Sequence, residues 1–200
     1  MPRRIGIMGG TFDPIHIGHL IMAESACMAL ALEKVIFMPS GNPPHKAGRT
    51  ITDFAIRSDM VKLSIDNNKN FVYSDFETRR EGYVYTSDTL KLLKEQYPDI
   101  TFYFIVGADS LLKIENWHEP ENVFKRCRLV VADRDDQEDK VKARIRYLEE
   151  KYHADIVYLR SPLVDISSTL IRERVCKGQS VKYLVTTEVE EYIVAHGLYQ

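Results

Sequence analysis

Apolar runs alternate with helical patterns from one end of the chain to the other. Short apolar runs predict strands at 4–8, 34–39, 71–74, 101–106, 128–132 and 155–159. Longer segments with apolar residues recurring every three to four positions predict helices at about 18–32, 53–66, 86–96, 120–126, 137–151, 168–176 and 187–195. The runs at 101–106 and 128–132 are nearly continuous in apolar residues, as in strands covered on both faces. Such alternation predicts an α/β fold: a Rossmann-like, doubly wound parallel sheet with right-handed crossovers and helices on both faces. A sheet of that kind places its ligand cleft at the carboxyl ends of its strands. Two helix ends carry local signals. Thr187 followed by Glu190 predicts a capping box, and Gly197 predicts a helix stop. There is no internal repeat, low-complexity tract or linker, so residues 1–200 read as a single domain, with about 167–200 a small C-terminal helical region.

Composition narrows the partners more than the fold. With 200 residues, 44% hydrophobic and 28% charged, the chain is ordinary for a globular domain with a real core. A formal charge of -2 gives no support for nucleic-acid or membrane binding. The basic pair Arg79-Arg80 and the Lys and Arg residues of 140–151 are matched by neighbouring acids and read as solvated faces. Cys27, Cys127 and Cys176 are dispersed and odd in number, which argues for small buried thiols in a reducing compartment rather than a disulfide framework. The first strand begins too early to leave room for a signal peptide, and the apolar stretch 20–32 is interrupted by Glu24 and too short to cross a bilayer. A cytoplasmic location is expected. The oligomeric state stays open, a homo-oligomer included.

The loops after the strands carry the candidate chemistry. The first is Gly9-Gly10-Thr11-Phe12-Asp13-Pro14-Ile15-His16-Ile17-Gly18-His19. It reads as strand, glycine turn and helix, with His16 and His19 on one helix face. Backbone N–H groups of a glycine turn and of a helix N-terminus both suit an anion, and the imidazoles add further donors. The arrangement fits a nucleotide whose phosphates are held while one of them reacts. A P-loop would need a Lys after the last glycine, the dinucleotide glycine fingerprint is absent, and a zinc site would need ligands beyond the two histidines.

Three further loops point to the same cleft. The segment 40–50, with Lys46 in Pro44-His45-Lys46, is long and polar and reads as a functional loop rather than a domain boundary. Lys46 taken alone is an ordinary loop lysine. Gly107-Ala108-Asp109 ends the most apolar strand, where a carboxylate can accept from ribose hydroxyls or cap the next helix. In Ile166-Ser167-Ser168-Thr169-Leu170-Ile171-Arg172, a helix start rich in hydroxyls precedes an Arg one turn in. That is either an N-cap with a surface Arg or a second anion site with a bidentate guanidinium. Trp117, the single Trp, lies beside His118 in surroundings too polar for a core segment, and its face would suit an electron-poor ring.

Gly-Gly-Thr-Phe-Asp-Pro-x-His-x-Gly-His resembles the signature of the nucleotidyltransferase superfamily that carries a His-x-Gly-His motif. Its members join a nucleoside monophosphate unit to a phosphate or phosphorylated metabolite and release pyrophosphate. Segment 77–88, Gly107-Ala108-Asp109 and Trp117-His118 are similar to their counterparts in the bacterial nicotinate mononucleotide adenylyltransferases. The match runs from Arg4 to about Arg172, with Ile15 where many relatives have Pro and with Asp133-Arg134-Asp135-Asp136 replacing a glycine-bearing segment.

The resemblance implies catalytic roles for His16, His19, Lys46 and Arg172. It implies ATP binding by Gly9, Gly10, Thr11, Phe12, Gly107, Asp109, Ile166, Ser167 and Ser168. It also implies stacking of Trp117 on a nicotinate ring, with backbone N–H groups near Thr86 and His118 on the carboxylate. ATP and nicotinate mononucleotide are then the expected partners. Mg²⁺ is the expected cofactor, carried by substrate phosphates rather than by a protein cage. The attacking phosphate is already a dianion at neutral pH, so catalysis reduces to alignment and charge stabilisation. Adenylyltransferases of phosphopantetheine or of the nicotinamide nucleotide, cytidylyltransferases, and a non-catalytic nucleotide sensor on the same fold stay open as alternatives.

Overall fold

A computed structural model describes residues 3–41, 51–79, 82–133, 138–162 and 164–200. Six strands, β1 (Arg3–Gly10), β2 (Lys34–Pro39), β3 (Phe71–Tyr73), β4 (Ile100–Gly107), β5 (Arg128–Asp133) and β6 (Ile156–Arg160), form one sheet in the order β3-β2-β1-β4-β5-β6. Every pairing is parallel. The helices among the described residues are α1 (Ile17–Ala29), α2 (Phe54–Ile65), α3 (Thr86–Gln96), α4 (Ala108–Leu112), α5 (Pro120–Arg126), α6 (Glu138–Tyr152), α7 (Ser168–Cys176) and α8 (Thr187–Ala195).

Residues of each central strand alternate between two cores, as the period of two requires. On one face Met8, Phe37, Ile105 and Val130 pack with Met22 and Ala26 of α1, Met60 of α2, Ile171 of α7 and Val189 of α8. On the other, Ile7, Phe104 and Val131 pack with Leu90 of α3, Leu111 of α4, Val123 of α5 and Ile145 of α6. Helices therefore cover both faces, as the sequence predicts. The chain runs outward from β1 to β2 and β3, then returns to place β4 on the other side of β1. That reversal opens a crevice at the carboxyl ends of β1 and β4, where this topology binds ligands.

The structure corrects three local readings. Gly9 and Gly10 are not a turn: they end β1, paired in register with Met38 and Pro39. Neither glycine is among those with positive φ, so closeness to neighbours rather than conformational freedom explains them. The cap of α8 is Thr186, whose side chain accepts from the Val189 N–H, one residue before the predicted capping box. The hydroxyl of Thr186 sits outside the first turn, where the orphan N–H groups point, whereas Thr187 is already helical. Asp109 does not cap the short helix that follows β4: Gly107 is the N-cap of α4 and Asp109 is already helical, in its first turn, and five residues give too little periodicity to set the start from sequence.

Gly197 does stop α8. With φ 56 it turns the chain, its N–H donating to Val194 O at 3.2 Å and that of Leu198 to Ile193 O at 3.0 Å. Those are the paired bonds of a Schellman motif. Among the described residues, no helix is long and apolar enough to cross a membrane. Cys27 and Cys127 are buried, as expected of small apolar residues, but Cys176 is exposed because it sits on the outer side of α7 at its end.

Candidate active site

The chain leaves β1 at Gly10 and reaches α1 through Thr11–Ile15, all buried. A Cβ at Gly9 would stand 3.1 Å from Phe104 Cζ, and one at Gly10 would stand 3.3 Å from the Phe12 ring. Both glycines thus let aromatic rings close under the strand end. Phe12 has a left-handed φ of 50 and a side chain in the core, against Phe37 and edge-on to His19 at 5.1 Å. Any contact it makes with a ligand must therefore come from its backbone.

His16 is the N-cap of α1 and His19 the third residue of its first turn. Their rings stack at 3.7 Å between centroids. The His16 N–H donates to His19 Nδ1 at 3.2 Å. An Nδ1 that accepts cannot carry a proton, so the neutral His19 ring holds its proton on Nε2 and is a donor there. The spacing that caps the helix also fixes which nitrogen donates.

Helix α7 begins beside this loop. The Ser167 side chain caps it by accepting from Leu170 N–H at 3.1 Å. Ser168 Oγ donates to Pro14 O at 2.9 Å, and Arg172 Nη1 donates to Asp13 O at 2.7 Å. The other terminal nitrogen of Arg172 donates to Thr169 Oγ1 at 3.3 Å. Ile166 is buried below, in the same core as Phe12. The two segments that the sequence marks as candidate anion sites, more than 150 residues apart, are thereby joined side by side.

Across the crevice, Gly107 ends β4 and caps α4, leaving Asp109 exposed in the first turn. Trp117 is half-buried and edge-on to Phe104 at 6.2 Å, so one phenyl ring separates it from Gly9. The 3₁₀ turn Ile114–Asn116 before it is tied to α6 through Glu115. That carboxylate accepts from Arg144 Nη2 at 2.7 Å, Lys151 Nζ at 2.8 Å and Tyr152 OH at 2.8 Å. The bonds from Lys151 and Tyr152 lead in holding the Glu115 carboxyl well below the usual carboxylate range, at about 2. The His118 ring lies tilted against Tyr85 at 4.2 Å, and Tyr85 occupies the N-cap position of the helix that Thr86 begins. The N–H groups at the start of α3 therefore lie beside the Trp117-His118 segment.

Sequence reading did not find Arg57 or Tyr199. Arg57 is only 2% exposed and donates to carbonyls from three segments: Thr11 O at 2.6 Å, Ser40 O at 3.0 Å and Thr52 O at 2.8 Å. It joins the loop after β1 to the loop after β2. Burial lowers its pKa, yet a guanidinium starts high enough to stay charged. One signal was available: Arg57 occupies the stripe of α2 that continues as Met60, Val61, Ser64 and Ile65. A charge in an apolar stripe asks for buried partners. The Tyr199 hydroxyl donates to Asp13 Oδ1 at 2.8 Å, a contact across 186 residues that no local pattern announces. Phe104 had no signal beyond its apolar strand. Lys46 and Arg134 lie outside the described residues. Among the described residues, no three His, Cys, Asp or Glu side chains gather as a metal-ligand set.

The sheet order, with glycine ends and paired imidazoles at the switch point, defines a doubly wound α/β protein of the nucleotide-binding type. Residues 7–174 match the cytidylyltransferase-like family model, and the chain belongs to that family. It is similar to two proteins named "Probable nicotinate-nucleotide adenylyltransferase". One, from Lachnoclostridium phytofermentans, is 45% identical, with 98% of this chain and 99% of the relative covered. The other, from Clostridium tetani, is 42% identical, with 99% of this chain and all of the relative covered (100%). The fold is also that of the Plasmodium falciparum nicotinic acid mononucleotide adenylyltransferase complexed with NaAD, with a TM-score of 0.81, 22% identity and coverage of 98% of this chain and 97% of that one.

Proposed function

We propose that this protein transfers an adenylyl group from ATP to nicotinate mononucleotide. A phosphate oxygen of the mononucleotide attacks the α-phosphorus of ATP, and the bond from the α-phosphorus to the bridging oxygen breaks. Pyrophosphate leaves, and nicotinate adenine dinucleotide forms. The observation that carries this reading is the junction of Gly9–His19 with the start of α7, through Ser168 to Pro14 and Arg172 to Asp13. The named full-length relatives support the choice of acceptor.

In this reaction His19 Nε2–H and His16 stabilise charge that builds on the α-phosphate oxygens, while Arg172, with Lys46, holds the β- and γ-phosphates. Backbone N–H groups from Gly9 to Phe12 and at Ser167-Ser168 add donors, and Ile166 packs under them. Gly107 and Asp109 take the adenosine ribose. Trp117 stacks on the nicotinate ring. Backbone N–H groups near Thr86 and His118 donate to its carboxylate. That carboxylate, rather than an amide, satisfies two facing donors. Mg²⁺, bound to the triphosphate rather than held by a protein cage, would supply positive charge to the leaving pyrophosphate beside Arg172 and Lys46. The chemistry is cytoplasmic in this reading.

Pyrophosphate release, measured with ATP and a panel of acceptor phosphates, tests the proposal. Turnover is expected with nicotinate mononucleotide and not with phosphopantetheine. Release with none of the acceptors would leave a nucleotide-binding protein without this chemistry.

A further inference from the structure

The loop that presents His16 and His19 is held from outside by the chain beyond β6. Arg172 and Ser168 of α7 bind the carbonyls of Asp13 and Pro14. The first amide of α1, Ile17 N–H, donates to Leu184 O at 2.9 Å. The fourth contact is to a side chain, from Tyr199 OH to Asp13 Oδ1. Asp13 Oδ2 faces the Thr52 N–H at 3.4 Å. Asp13 is itself buried, at 5% exposure, so its carboxylate depends on these partners.

Local sequence explains how Tyr199 reaches it. Gly197 ends α8 in the left-handed conformation and reverses the chain. Leu198 and Tyr199 then fold back onto the core that contains Phe12 and Ile15. Tyr199 adopts a φ of 64, a conformation a residue with a Cβ keeps only where its surroundings demand it. Burial and the neighbouring Asp13 both push its phenol well above the usual value, so it remains a hydroxyl donor at any working pH.

We infer that Tyr199 is a positioning residue for the adenylyl transfer: through Asp13 it fixes the Thr11–His16 loop and with it the His16–His19 pair. The inference rests on the reaction proposed above. Small displacements of groups aimed at a transition state cost rate more than affinity, up to about a hundredfold for roughly 1 Å. Tyr199→Phe removes one oxygen and keeps the ring that packs on the core. It is expected to lower kcat about tenfold, with the KM for ATP within about twofold. Tyr192→Phe is the control, because Tyr192 stacks on His196, the C-cap of α8, at 3.9 Å and has the charge of Asp59 on α2 as its neighbour rather than Asp13.

Kinetics of both variants are measured well below their melting temperatures, together with imidazole ¹H–¹⁵N spectra. In Tyr199→Phe the His16 and His19 resonances should shift while kcat falls; in Tyr192→Phe neither should change. A Tyr199→Phe enzyme with wild-type kcat and unmoved histidine resonances, whatever its melting temperature, overturns the inference. The spectra need no turnover. If the wild-type protein releases no pyrophosphate, the reaction assignment falls, while unmoved resonances would still refute the positioning role and shifted ones support it.

Discussion

Replacing His19 separates two jobs that one ring performs. Its Nδ1 accepts the His16 N–H at 3.2 Å and so closes the first turn of α1, while in the proposed reaction Nε2 offers its proton to the reacting phosphate. His19→Ala removes both. Loss of a cap costs about 1 kcal/mol, which for a chain of this size lowers the melting temperature by about 2–4 °C. Loss of one charge-stabilising donor costs about 2.7–4 kcal/mol in the transition state, a fall in kcat of about 10²–10³. ATP affinity should change much less, because the donor acts on charge that develops only during transfer. His19→Asn distinguishes the two effects. Its amide oxygen lies close to the place of Nδ1, but it has nothing at the place of Nε2. The cap and the melting temperature should return, and the activity should not. The assay is steady-state pyrophosphate release, with calorimetric ATP binding and thermal melts on the same preparations. A His19→Asn enzyme with near-normal kcat would refute the role given to Nε2 and leave His19 as a helix cap.

Other outcomes follow from the same geometry. Arg172→Lys replaces a fork that spans Asp13 O and Thr169 Oγ1 by a point charge, and kcat/KM for ATP should fall about 10- to 100-fold, the value of charged hydrogen bonds lost; an unchanged value contradicts the phosphate role. Gly9→Ala puts a methyl 3.1 Å from Phe104 and presses that ring towards Trp117, so the KM for nicotinate mononucleotide should rise more than that for ATP; equal effects would disconnect Phe104 from the ring site. Glu115 has a carboxyl pKa of about 2 in the folded protein, below its unfolded value, so its contribution to stability is present above the unfolded pKa and is lost as pH falls from about 4.3 towards 2. Wild-type melting temperature should therefore drop more steeply over that window than in Glu115→Gln, and parallel curves would remove the role given to the Lys151 and Tyr152 bonds.

The parts of the fold legible in sequence were those set by local period. Strands such as Lys34–Pro39 and helices such as Pro120–Arg126 appear within a residue or so of their predicted bounds because apolar spacing alone specifies them. Site segments were legible where glycine, histidine and hydroxyl residues cluster, as in Gly9–His19 and Ile166–Arg172. What stayed hidden was set by packing between distant segments. Phe104 explains why Gly9 lacks a side chain, but only the pairing of β1 with β4 brings the two together. Arg57 looked like one of many helical charges until its partners proved to be carbonyls of the loops after β1 and β2. Tyr199 has no motif at all, since its meaning depends on a reversal at Gly197 and a carboxylate 186 positions away. The misplaced cap of α8 has a different cause: Thr186 and Thr187 are adjacent, and their chemistry does not say which one is helical.

Side-by-side kinetics on nicotinate mononucleotide and its amide test the central claim most directly, with the dinucleotide product identified by mass. In the proposed site two N–H donors, near Thr86 and His118, would meet the carboxylate, whereas an amide would turn its NH₂ towards one of them. A buried mismatch of that kind costs about 1–3 kcal/mol, so kcat/KM should favour the acid by about tenfold to a hundredfold. Trp117→Ala should weaken both acceptors and leave most of the preference, since stacking does not distinguish them. Equal efficiency with the two mononucleotides, or preference for the amide, would contradict the account.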